Sequence, residues 1–212
     1  MSKNKRIRIK ETIKEHILNN LREYIIILLI FIIGIFLGVI FINNMQDEQK
    51  NEINEYINTF INNLKNSSEV NDLKLLKTSM IQNIILGIAI WFFGTTVIGI
   101  PVVFGIVLYR GFCLGYTIST CITVMGLSKG LLFVLITLVL QNLIFIPAII
   151  AIAVSGFKLY KSIVKDRKVD NIKLEILRHT IFSLLMMLLL IIASLVETFA
   201  STGILKATIK YF

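Results

Sequence analysis

Four long stretches of the 212-residue chain carry almost no charge: Tyr24–Ile42, Met80–Leu127 (interrupted only by Arg110), Leu131–Phe157 and Thr180–Ser201 (interrupted only by Glu197). A hydrocarbon core roughly 30 Å thick takes about 20 apolar helical residues to cross. The first, third and fourth stretches each fit one crossing, and the second is long enough for two. A buried helix in water still turns a polar face outward, and these stretches do not. The sequence predicts an all-α fold, a polytopic membrane helical bundle of about five transmembrane helices, with residues 1–212 forming a single integral membrane domain.

With 56% hydrophobic residues and no soluble stretch longer than about forty residues, little remains for an independent catalytic domain. The net charge of +9 does not point to nucleic acid, because the positive residues lie mainly in two patches beside apolar spans, Lys3–Lys14 and Lys158–Arg178. Cytoplasmic flanks of membrane helices look like that, with lysines near anionic lipid headgroups. Cys113 and Cys121 lie on one predicted helix, about 12 Å apart along its axis at 1.5 Å per residue. That is too far for a disulfide, and buried free thiols are expected. The first span follows a basic tail and ends in Asn43-Asn44-Met45, with no small-x-small cleavage pattern, so it reads as a retained anchor.

Charge also sets the expected topology. The tail 1–23 carries seven Lys/Arg against three acids, and the linker 157–179 again seven against three. Both belong in the cytoplasm by the positive-inside rule. The segment 43–79, with four lysines and six acids, then lies outside, and the C-terminus is extracytoplasmic in the cell membrane. The predicted crossings are Tyr24–Ile42, Met80–Ile98, Pro101–Val124, Leu131–Gly156 and Thr180–Ala200. The turn between the second and third falls either at Gly99-Ile100-Pro101 or at Tyr109-Arg110-Gly111. The first is favoured, because Gly111–Val124 alone is too short to span and Pro101 suits a helix start.

The outer segment is predicted to hold an extracytoplasmic amphipathic helix. Ile53, Tyr56, Ile57, Phe60, Ile61 and Leu64 share one helical face, opposite Glu55, Asn58, Asn62, Asn63 and Asn66. That face suits the outer leaflet, a second protomer in a homodimer, or a protein partner. A second short amphipathic piece comes next, capped by Asn71 or Asp72, with Leu73, Leu76 and Met80 leading into the membrane.

Within the spans, Arg110 and Glu197 are the ionisable groups. Charge at bilayer depth costs a few kcal/mol and commonly marks function or assembly, although either residue near an interface could snorkel out. Counting along the helices puts Arg110 deep to inner and Glu197 outer, so a direct pair is not expected. Gly34/Gly38 and Gly111/Gly115, each spaced i, i+4, support close helix packing within or between protomers. Gln141 and Asn142 need hydrogen-bond partners, as does the Leu143 carbonyl that Pro147 leaves without a donor. Interhelical bonding accounts for these groups more readily than a pore lining. His16 and His179 sit on separate cytoplasmic flanks as solvated headgroup-level residues. No phosphate loop, nucleophile elbow, metal-ligand cluster or cofactor motif is present, and no enzymatic activity is expected.

Tyr109-Arg110-Gly111-Phe112-Cys113-Leu114-Gly115-Tyr116, then Gly126-Leu127-Ser128-Lys129-Gly130-Leu131-Leu132-Phe133, then Gln141-Asn142 and Ile146-Pro147-Ala148-Ile149, in that order and spacing, resemble the stage II sporulation protein M family of bacterial membrane proteins. The flanking arrangement is also similar, with Glu197 late in the last span. Some broader relatives carry a histidine and a glutamate around the corresponding proline; Leu140-Gln141-Asn142 stands here instead, nearer the sporulation branch. The resemblance implies a non-catalytic scaffold that assembles with stage II sporulation proteins D and P, which degrade peptidoglycan during engulfment of the forespore. It carries over Arg110, Gly111, Gly115, Gln141, Asn142 and Pro147 as fold-defining positions. The competing expectation is a transporter or permease-like subunit, motivated by Arg110, Gln141, Asn142 and Glu197.

Overall fold

The computed structural model describes residues 18, 20–66, 72–164, 172–201 and 203–204, and the side chains of residues 60, 61, 63–66, 72 and 201 lie outside that description. The described residues form helices: α1 (Leu21–Asn43), α2 (Asp47–Asn66), α3 (Asp72–Gly94), α4 (Ile100–Met125), α5 (Leu127–Val164) and α6 (Ile172–Leu195). Two π-helical turns interrupt the α pattern, Leu135–Val139 within α5 and Val196–Ser201 directly after α6.

Five helices, α1 and α3 to α6, are long and apolar enough to cross a membrane. Their outward faces carry what a soluble protein hides: Leu29, Phe36, Ile85, Leu143, Leu184 and Leu188 are all exposed. The core lies where the helices meet, and α5 is its axis. Residues 148–154 of α5, two full turns, are buried on every side. Ile27 and Phe31 of α1, Ile90 of α3, Val103 and Val107 of α4, and Leu190 and Ala193 of α6 pack around them.

Small residues decide which helices touch. The two i, i+4 glycine pairs meet each other: a Cβ at Gly34 would overlap the Leu108 carbonyl and one at Gly38 the Phe112 carbonyl. One at Gly111 would overlap the Phe31 carbonyl, and one at Gly115 that of Ile35. Backbone therefore lies on backbone along α1 and α4, and dispersion over that closely fitted area supplies the attraction. The close packing predicted from the glycines is thus within the protomer. A second such crossing joins α3 to α5, where a Cβ at Gly94 would sit 3.2 Å from the Gly156 Cα.

The turn between α3 and α4 covers residues 95–99, the first of the two positions the sequence allows, with Pro101 in the opening turn of α4. Thr95 and Thr96 donate to the carbonyls of Phe92 (2.6 Å) and Phe93 (3.0 Å) and so cap the end of α3. A single residue, Gly126 at φ 80°, separates α4 from α5; only glycine adopts that backbone freely.

Several expected boundaries shift outward. The short amphipathic piece expected before the second span is continuous with it, so α3 starts at Asp72; Asn71 and the Asp72 side chain lie outside the described residues. At the other end α5 extends to Val164 and α6 starts at Ile172, so much of the basic linker is helix. Lysine and arginine are good helix formers, and they let a helix run on past the hydrocarbon boundary.

Candidate functional site

Polar side chains from three helices and from the π turn that follows α6 converge on one cavity in the bundle. From α3 come Ser79, Gln82 and Asn83, at i, i+3 and i+4. Helix α4 supplies Arg110, Cys113 and Thr117, at i, i+3 and i+7. Gln141 and Asn142 of α5 and Glu197 of the terminal π turn complete the polar lining, with Phe31, Phe145 and Leu138 among the apolar walls. Each set lies on one helical face, and the half-open cavity has a volume of about 180 Å³. Such a space, polar and larger than the ~30 Å³ share of one liquid water, suits several waters or a small polar solute.

Glu197 is the hub of the hydrogen bonding. Its Oε2 accepts from Gln141 Nε2 at 2.7 Å and from the Ser79 hydroxyl. One layer away, Asn83 Nδ2 donates to Ser194 Oγ at 2.8 Å, and Ser194 in turn donates to the Leu190 carbonyl at 3.2 Å. Asn142 Nδ2 donates back to the Leu138 carbonyl at 2.8 Å, within the π turn of its own helix. Arg110 faces the same space with its guanidinium carbon 4.3 Å from the Phe145 ring centroid, a cation–π contact. The ion pairs among the described residues do not include Arg110.

The two π turns touch each other beside the cavity. Each inserts about one extra residue into a helical turn. The C-terminal side of the turn is thereby rotated by roughly 100° relative to the N-terminal side. Gln141 comes just after one insertion and Glu197 lies within the other, which brings both side chains to one face.

Arg110 and Glu197 were expected at unmatched depths, yet they line one cavity. The α4 lining runs from Arg110 to Thr117, about 10 Å along the axis, so the cavity itself spans the difference. Gln141 makes the expected interhelical bond, to Glu197, whereas Asn142 bonds back within its own helix. Gly111 and Gly115 lie on the α1 side of α4, outside the lining. Pro147 is exposed and away from the cavity.

His179 is a correction to the sequence reading. It is 2% exposed, with Nδ1 2.9 Å from Ser155 Oγ and Nε2 3.4 Å from the Trp91 carbonyl. The space comes from the Gly94–Gly156 crossing, whose missing side chains let the ring sit between helices. His16 lies outside the described residues.

On the amphipathic helix α2, Ile57 packs against the cluster of Cys121, Phe133, Val134 and Ile136, and Ile53 faces Thr120 and Thr123 across a small pocket. Part of the apolar face is therefore turned onto its own chain, while Tyr56 is 74% exposed; the side chains of Phe60, Ile61 and Leu64 lie outside the described residues.

Sequence reading missed Ser79, Asn83 and Ser194. The available signal was Ser79, Gln82 and Asn83 recurring at helical spacing in an otherwise apolar run. Among the described residues, no group of three or more His, Cys, Asp or Glu side chains could hold a metal ion.

The family model for Stage II sporulation protein M matches residues 27–202, which takes in α3 to α6 and most of α1. No curated protein matches the chain, and no solved structure matches it.

Proposed function

The chain belongs to the stage II sporulation protein M family, and from that membership we propose that it is a non-catalytic scaffold which anchors and coordinates peptidoglycan hydrolases during engulfment of the forespore. It is a sporulation-related multi-pass membrane protein, and the family match is the observation that carries the reading. In the proposed orientation the N-terminus and the basic linker are cytoplasmic. Helix α2 and the C-terminus face the wall, where stage II sporulation proteins D and P would act. The exposed Tyr56 and the polar side of α2 then offer the contact surface, and the glycine clamp between α1 and α4 holds its mount rigid. Gentle extraction from sporulating membranes should recover wall hydrolases with this chain. Recovery without any wall hydrolase would contradict the reading.

The cavity favours a second reading, a permease-like subunit in which Arg110, Gln141, Asn142 and Glu197 handle a polar solute. Cys113 lines the cavity and is a native reporter. A membrane-impermeant thiol reagent should reach it from one side at most in a scaffold. Access from both sides, alternating with conditions, would favour the permease.

A further inference from the structure

At the opposite end of the bundle, α5 and α6 leave a second cavity of about 220 Å³. It shares no lining residue with the polar cavity described above. Its walls include Lys158 and Leu159 from the last turns of α5 and Glu175, Arg178 and His179 from the first turns of α6.

The charge of this lining is positive. Arg178 donates to Glu175 at 2.6 Å through one nitrogen, leaving the rest of its planar fork of donors. Lys158 makes no ion pair among the described residues. Two cations against one carboxylate leave a net positive site. The Ser155 hydroxyl, also in the wall, is engaged with His179.

The depth of the site is also marked. Trp91, whose carbonyl meets His179, donates its indole N–H to Thr180 at 3.2 Å, and Tyr24 and Tyr160 lie at the same end of α1 and α5. Lys161 pairs with Glu23 at 2.5 Å one turn beyond Lys158. Aromatic rings interleaved with basic side chains mark headgroup level in membrane proteins. Below Arg178, the same stripe of α6 continues as Ile181 and Leu185, 52% and 55% exposed. An acyl chain running down from the pocket would lie along that stripe.

The geometry points to a binding site for the headgroup phosphate of an anionic glycerophospholipid, held by Lys158 and Arg178 with its acyl chain against Ile181 and Leu185. Arg178 supplies two convergent N–H donors to phosphate oxygens, and Lys158 adds a point charge from the facing helix. A soluble phosphate would satisfy the cations but would have no use for the apolar stripe. A zwitterionic lipid brings its own cation into a positive site. The lipid would bridge the ends of α5 and α6.

The test uses the full-length protein purified in dodecyl maltoside, with phosphatidylglycerol, phosphatidylcholine or inorganic phosphate added. Native mass spectrometry and thermal unfolding are the readouts. Wild type should retain phosphatidylglycerol preferentially and melt at higher temperature with it, with no matching effect of phosphatidylcholine. Lys158→Gln combined with Arg178→Gln should weaken retention about thirtyfold, roughly fivefold for each surface charge removed. Lys129→Gln, which lies outside this pocket, should leave it unchanged. Equal stabilisation by both lipids, or a double variant that holds phosphatidylglycerol as wild type does, would overturn the site. Full protection by inorganic phosphate alone would overturn the lipid and leave a soluble anion as the ligand.

Discussion

Glu197 is one carboxyl group serving two donors, Gln141 and Ser79, from two other helices. Removing an acceptor from this half-buried site leaves its donors to the waters of the cavity or unsatisfied, at up to about 1–3 kcal/mol for each one stranded. Glu197→Leu should therefore destabilise the detergent-solubilised protein clearly, whereas Glu197→Gln, which keeps a carbonyl acceptor, should cost less. Thermal unfolding of the two variants checks the order, and equal melting temperatures would contradict it. A double-mutant cycle between Gln141→Leu and Glu197→Leu should return a coupling of about 1 kcal/mol, in the range of intramembrane polar pairs. Arg110 was recognisable from its sequence alone, because charge within an apolar run is rare. The uncharged polar residues of the same region were not. Ser79, Asn83 and Ser194 are of a kind that membrane helices carry routinely, and only the fold brings Asn83 to Ser194.

Between helices, the most exacting contact is that of α1 with α4, where four glycines put backbone against backbone. Gly111→Leu must push the pair apart, at more than about 2 kcal/mol of overpacking strain. Gly105→Ala on the same helix, where an added Cβ meets nothing within 4 Å, should be neutral or mildly stabilising. The comparison of melting temperatures separates close approach from a general intolerance of side chains on α4. Helix α2 makes a weaker attachment through Ile53 and Ile57. Ile57→Ser should leave the bundle intact but raise the protease sensitivity of residues 47–66; unchanged digestion would mean that α2 is not held through this face. The i, i+4 glycines and the amphipathic face were readable as patterns, yet neither pattern names its partner. The π turns left no sequence signal at all, because a widened turn has the same apolar composition as an ordinary one. Among the described residues no ion pair joins Arg110 to Glu197, in line with the depths counted along the helices, but counting gave no sign of the cavity that both line.

Five helices long and apolar enough to cross a membrane were legible because a bilayer imposes one severe condition, a run of about 20 uncharged residues, and charge is easy to count. His179 was not legible, since its burial depends on the Gly94–Gly156 crossing of α3 and α5. The molecule thus combines a bundle whose outside is greasy, a half-open polar cavity among its helices, and a basic pair, Lys158 and Arg178, at the opposite end. Its proposed role depends on α2 and the start of α6 facing opposite sides of the membrane. Single cysteines at Tyr56 and Lys173, both exposed, can be introduced after Cys113 and Cys121 are changed to serine. Each is then labelled in intact cells and in inverted vesicles with an impermeant maleimide. Odd crossing between these positions (α3, α4 and α5) predicts labelling of Tyr56→Cys only from outside and of Lys173→Cys only from the cytoplasmic side; labelling of both from one compartment would contradict it.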